Sequence, residues 1–424
     1  MNAITPVGVN ASAFLDRGDV TGNAQRQKAA DFLRHVGLPR VGVEAWKYTS
    51  LRALADVPFT TAPHAADDAA ADTLLAEIET ISGLGAGASR VVFVNGYFDA
   101  GRSRLPKGVR VSTLAAGTLP DDGIDPAGDV TTALNTILAR DGLDLVVPAG
   151  VDGGCLLLVS IGQTEAAEPV SFHPRHRIVV EKGGRLALLD ASVGRGQYLH
   201  NPLYDIAVAD GGYLSHARIQ AEGKQAVHLA VSHARVAAGG VYDSFTLTLG
   251  ASLSRHEVHA ALMQAGASVH VNGAQLLSGH QHGDLTSVIT HAAPDCVSRQ
   301  TIKNVLSDHA RGVFQGKILV ERIAQKTDGY QMNQALLLSD GAEIDAKPEL
   351  EIYADDVKCS HGATVGALDD DQLFYLRSRG IPDAAARSIL IRAFLHDVVD
   401  QIDDQRLKDS LNLAVEAWWT REVA

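Results

Sequence analysis

The chain has 424 residues, 46% of them apolar and 5% aromatic, with 40 glycines and a formal net charge of −13. So acidic a balance excludes a nucleic-acid binder, which needs a concentrated basic surface for phosphate contacts, and the length asks for two or three domains. No run approaches the roughly 18 uninterrupted apolar residues of a membrane span, and "MNAITPVGVNASAFLDRG" lacks the basic and apolar regions of a secretory signal. A packed, cytoplasmic protein without a membrane partner is the expectation.

The first 150 residues read as a mixed α/β, largely helical domain. "NAQRQKAADFLRHVGLP" has the pattern of an amphipathic helix ended by Gly37 and Pro39. "VEAWKYTSLRAL" follows, with Trp46 and Tyr48 as expected anchors, and "AADDAAADTLLAEIE" reads as a helix after a flexible lead-in. In "RVVFVNGYFDAG" the Asn95-Gly96 pair between two apolar runs predicts a hairpin. "LPDDGIDPAGD" reads as a surface loop.

From 151 to 366 short Val/Leu/Ile runs alternate with glycine turns. "VVEKGGRL", "AVADGGYL" and "RVAAGGVY" place the first glycine of each pair at 183, 211 and 239, two steps of 28, and Gly266 in "LMQAGASV" follows after 27. Gly312 and Gly341 stand 29 apart further on. A fixed period of strand, turn and strand predicts a β-solenoid, because one coil cannot bury its inner face and must stack on the next. A sandwich would show short strands without a fixed period, so a parallel β-helix is favoured. Residues 367–424 change texture again. "ALDDDQLFYLRSRG" has acidic residues at its start, arginines near its end and Gly380 as a stop, which suits a helix. Pro382 opens a second helix, with an apolar stripe at 390, 391, 394, 395, 398, 399 and 402. Leu407, Leu411, Val415 and Trp418 mark one face of a third.

Several motifs fail on spacing. "GVFQGKI" lacks the fourth spacer of a phosphate loop and the Ser/Thr after its lysine, which leaves no nucleotide site of this type. "HEVH" is one residue short of a zinc-protease motif, and on a strand His256 and His259 face opposite ways. "HQHGD" puts His280 and His282 on one face, where they are weak candidates for metal ligation. Cys155, Cys296 and Cys359 form no CxxC pair and are too few to hold an iron–sulfur cluster alone. In "DVKCSHGAT", Cys359 and His361 project to one side of a strand, about 6.5–7 Å apart. Lys358 would favour the thiolate, the form that binds metal. A buried cysteine beside a structural histidine is the competing reading and is favoured on spacing alone.

These residues resemble a known family. "KPELEIYADDVKCSHGATVGALDDDQLFYLRSRGIP" closely resembles the C-terminal signature of the SufB/SufD family of iron–sulfur cluster assembly proteins, and "SDHARGVFQGKILV", "KTDGYQMNQALLLSD" and "WKYTSL" agree. Gly362 stands where the SufB branch carries an acidic residue, so the chain is most similar to the SufD branch. The resemblance implies a right-handed parallel β-helix with helical ends. It also implies a non-catalytic subunit that pairs with a SufB-like paralogue and a SufC-like ATPase, and builds and transfers nascent clusters at the interface with SufB. His361 would be the metal ligand there and Cys359 its neighbour. The helix around Leu373, Phe374, Tyr375 and Arg379 would dock the ATPase. No cofactor is implied in the chain alone. A transient Fe–S cluster or iron would be shared with SufB, and a flavin (FAD) is possible at the level of the complex. A homodimer is the expected alternative where SufB is lacking. The competing function is a stand-alone β-helix enzyme, acting on a polysaccharide or as a histidine-dependent metal isomerase.

Overall fold

The computed structural model describes residues 8–422, apart from 41, 65–67, 86, 115–118, 120–122 and 165–167. The expected lead-in at 65–67 and part of the loop over 119–129 fall outside that set. Two parallel sheets face each other and alternate along the chain, forming a β-solenoid of about 8 turns. The first sheet runs in coil order from Leu143–Val147 to Arg311–Val320 and ends on Glu343–Ile352. The second runs from Asp152–Gln163 to Asp328–Leu337 and ends on Lys358–Gly366. Register is kept from coil to coil, so residues that stack point the same way. Antiparallel pairing enters at the N-terminal end, where Arg90–Val94 and Tyr97–Phe98 form the expected hairpin with Asn95 and Gly96 at φ 52° and 81°.

One corner of the coil requires a left-handed backbone. Gly183, Gly211, Gly239 and Gly266 occupy it with φ between 61° and 71°, a region glycine enters without a Cβ penalty. The N–H of Gly211 donates to Ala238 O of the next coil at 2.9 Å, and Gly183 does the same to Asp210 O. The series then passes to Asp295 and Lys326, at φ 58° and 60°. Gly312 and Gly341 do not continue it, correcting the sequence expectation. Gly312 lies inside the strand Arg311–Val320, while Gly341 sits in the turn before Glu343–Ile352.

Leu156, Leu158, Leu186, Leu188, Ile206, Ile178 and Val236 fill the space between the sheets. The outer face of the second sheet is covered by helices Asp68–Ser82, Asp383–Val399 and Gln405–Glu422, through Leu74, Ile78, Ile391, Leu395, Leu411 and Trp418. The expected stripe on the second C-terminal helix is the face that packs, with Leu390 and Phe394 half-buried at its margin. On the first sheet, Ala24–Val36 and Val130–Leu138 pack around Leu199 and Leu229. Asn23 caps the first of these by accepting from the N–H of Arg26, and Gly37 at φ 69° ends it. Trp46 is buried as expected, but Tyr48 is only half-buried, and Thr49 is the second anchor of that segment.

Candidate functional site

The strand Lys358–Gly366 forms the end of the second sheet and pairs only with Asp328–Leu337 among the described strands. His361 stacks in register on Gln331, and Cys359 on Gly329. Gln331 is buried and its Nε2 donates across to Glu349 O of the opposite sheet at 3.3 Å, so this row faces the gap between the sheets. Cys359 and His361 therefore share one side of the strand, as alternation requires. That side is the inner one of the last coil and not an outward face. Because no further coil covers it, His361 is exposed, while Cys359 is half-buried against Ile318, Val320, Leu350 and Val357.

Their electrostatics differ from the sequence expectation. Burial pushes the Cys359 thiol up, and Asp328 adds to this against the backbone hydrogen bond from Gly329. The influence expected of Lys358 does not prevail, because that side chain lies on the strand's other face and in solvent. Cys359 is thus a protonated thiol until a metal or neighbouring cation stabilises its anion. Gly362 faces Met332, whose Cε would lie 2.8 Å from an added Cβ, so a larger residue after the histidine requires the methionine to move.

The remaining sequence candidates separate. Phe374 and Tyr375 are exposed, at 73% and 57%, and Arg379 lies over the Tyr375 ring at 5.2 Å. Leu373 is buried at 5%, lining the hollow between its helix Asp370–Ser378 and the last coils beside Leu337, Val365 and Leu368. It supports the helix and offers no docking surface in this conformation. His280 stacks on His309 with ring centroids 5.2 Å apart, whereas His282 Nε2 meets Thr49 Oγ1 at 2.9 Å. The two do not converge on one point. His256 faces inward towards Thr246 and His259 stacks outside on His233, on opposite faces as the spacing requires. The three cysteines are free; Cys155 is half-buried under the C-terminal helices and Cys296 is buried, donating to Gln264 O at 3.3 Å.

Sequence reasoning missed a buried group, His200, Glu222 and His228, whose potential ligand atoms lie within 4.8 Å of one another. They are on three different strands and carry no short motif; strand register sets His200 beside His228, and the short turn from Glu222 to Val227 brings the carboxylate to them.

Two family profiles match the chain. The "SUF system FeS cluster assembly, SufBD core domain" covers residues 162–394, and the "SufBD protein N-terminal region" covers 15–155. The chain belongs to the SufBD family. Among its relatives, the iron–sulfur cluster assembly protein SufD of Escherichia coli is 32% identical, over 91% of this chain and 90% of its own length. A SufBD family protein of Synechocystis is 31% identical over 92% and 90%. A chloroplastic Arabidopsis thaliana protein is 32% identical over 76% and 72%. These matches favour the assembly reading of this SufBD protein and lend nothing to a stand-alone β-helix enzyme. Among the described residues no helix is long and apolar enough to cross a membrane.

Proposed function

We propose that this SufBD protein is a SufD-type subunit that pairs with a SufB-like paralogue and a SufC-like ATPase, with His361 presented to iron–sulfur species at the shared interface. The observation that carries the reading is the open last coil, where an exposed imidazole and a half-buried thiol stand on one side of a terminal strand. Imidazole and thiolate both suit iron, but a single pair leaves the coordination shell incomplete. Strands Glu343–Ile352 and Lys358–Gly366 both present edges, which are templates for pairing with another chain. A second solenoid docked there would add the missing ligands and a cation to draw the Cys359 proton. The cluster is cargo in this scheme, the nucleotide chemistry belongs to the ATPase, and flavin has no assigned role in this chain. The division into 1–150, 151–366 and 367–424 separates an N-terminal brace, a ligand-bearing solenoid and a docking tail.

The test is reconstitution with both partners, comparing wild type, His361→Ala and Cys359→Ser. His361→Ala is expected to leave the complex intact, because the side chain is exposed, and to lower its bound iron and sulfide severalfold. Unchanged iron and sulfide would remove the ligand role and leave a purely structural subunit. A homodimer through the same edges, with no binding to the paralogue, would overturn the partner assignment.

A further inference from the structure

Some distance along the solenoid from the open end, three short stretches of different strands meet at one corner. His200 closes the strand Tyr198–His200, Glu222 ends Tyr213–Glu222, and His228 lies near the start of Val227–Val236. His200 Nδ1 stands 3.0 Å from Glu222 Oε1, and His228 Nδ1 stands 2.6 Å from Glu222 Oε2. Their side chains are 1%, 0% and 6% exposed. The two rings are set edge to face at 86°, with centroids 4.9 Å apart, and Phe172 packs against His200 at 4.7 Å. Gln220 Nε2 donates to Glu222 Oε2 at 3.0 Å and holds the carboxylate from behind.

This group is not an ordinary satisfied hydrogen-bond network. His200 Nε2 is buried without a hydrogen-bond partner, and His228 Nδ1 approaches the carboxylate closely but outside hydrogen-bonding geometry. A carboxylate sealed between two imidazoles, with ring nitrogens left unpartnered, is a costly arrangement unless a cation completes it.

We propose that His200, Glu222 and His228 form a binding site for a divalent first-row transition ion of the zinc type. Two imidazoles and one carboxylate are a ligand set that zinc takes with a fourth position open, and the absence of sulfur disfavours the softer ions. Ligand atoms at about 2.1 Å from one ion lie no more than about 4.2 Å apart. The observed 4.8 Å envelope therefore closes with a small rotation of one ring. Glu222, Gly223 and Lys224 also line a cavity of about 1060 Å³ with Gly194, Gly250 and Trp418, beside the corner. The bound ion would join three strands. The site is independent of Cys359 and His361, because five inter-strand steps, about 24 Å, separate Tyr213–Glu222 from Lys358–Gly366.

The experiment uses the full chain, stripped with a chelator and titrated with Zn²⁺ by calorimetry and with Co²⁺ by visible absorption. X-ray absorption of the zinc-loaded protein reads the ligand types. One tight equivalent is expected, with two imidazoles, oxygen and no sulfur in its shell, and zinc should raise the melting temperature. His228→Gln and Glu222→Gln should each weaken zinc at least about tenfold, the lower bound for losing even an outer partner of a metal ligand. Cys359→Ser and His361→Ala should bind as wild type does. Failure to retain zinc, a sulfur-containing shell, or unchanged affinity in a folded His228→Gln variant would overturn the proposal. The last result would move the ion elsewhere, such as the exposed His280–His309 stack. If the corner variants do not fold, the wild-type absorption spectrum decides through the presence or absence of sulfur and the count of imidazoles.

Discussion

Arg255 ties the N-terminal segment to the solenoid. Its guanidinium is 1% exposed and donates from Nε to Glu257 at 2.9 Å, from Nη1 to Asp284, and from Nη2 to Ala45 O at 2.9 Å. The Trp46 ring covers it at 4.0 Å, and Thr49 Oγ1 donates to the same Asp284 at 2.5 Å. The motif "WKYTSL" thus earns its place through Trp46 and Thr49, which close a charge cluster that would otherwise face water. Burial lowers the Arg255 pKa, but Asp284 and Glu257 overcome it and hold the group firmly charged. Arg255→Ala leaves two buried carboxylates without their cation, and breaking such a pair costs about 3–5 kcal/mol. Arg255→Lys is expected to recover only part, because a point charge replaces neither the planar fork nor the stacking on Trp46. Urea denaturation followed by tryptophan fluorescence measures both. A loss for Arg255→Ala below about 1 kcal/mol, the value of an exposed pair, would show that the cluster does not hold the segment.

The helix Asp370–Ser378 has a buried and an exposed side. Asp369 caps it by accepting from the Gln372 N–H at 2.9 Å, Asp370 and Asp371 favour its N-terminus, and Gly380 at φ 85° follows its end. Leu373→Ala removes a buried side chain and is expected to destabilise by about 2–5 kcal/mol. Phe374→Ser with Tyr375→Ser changes only exposed groups, so stability should move by less than about 0.5 kcal/mol per substitution, while affinity for the proposed ATPase partner should fall at least tenfold. Thermal melts and a binding titration separate the two effects, and unchanged affinity would place the docking surface elsewhere. The same helix was readable in the sequence because its caps are local chemistry. The solenoid was readable between 183 and 266, where glycine fills each left-handed corner, and it lost that signal where Asp295 and Lys326 adopt the same backbone. Gly312 and Gly341 misled because they answer to crowding. A Cβ on Gly312 would press on Ile344 and Leu306 at 3.0 Å, and one on Gly341 would meet the His309 ring at 2.3 Å. Cys359 and His361 were legible through a long motif and strand alternation, but their inward direction depends on the opposite sheet. Arg255 and the His200–Glu222–His228 group were not legible, since Asp284 and Ala45 stand 29 and 210 residues from Arg255, and His200 and His228 meet only across paired strands.

Over the whole molecule, burial keeps several histidines neutral. Burial lowers His173, His176 and His233 to about 3, and His216 and His291 to about 4, from an ordinary 6.5. The surrounding charges only adjust this: Arg218 adds to the depression of His216 while Asp190 resists it. Unfolding releases each ring to its ordinary value, so between about pH 6.5 and 4 the unfolded chain binds protons that the folded chain refuses. The contribution is complete above pH 6.5 and disappears as pH falls through that window. Each such proton is worth about 1.4 kcal/mol per pH unit. His259, raised by Glu257 against its own burial, and Asp129 and Asp141, raised by burial, work in the opposite direction but are outnumbered by the depressed rings. The urea midpoint is therefore expected to hold steady from pH 8 to 7 and to drop steeply between about pH 6 and 4.5, with net proton uptake on unfolding. Exposed carboxylates alone would place that drop lower, near their own range of about 4. A midpoint that stayed level down to pH 4.5 would mean that the buried rings accept protons in place, and the polar interior of the solenoid would then be reachable by water.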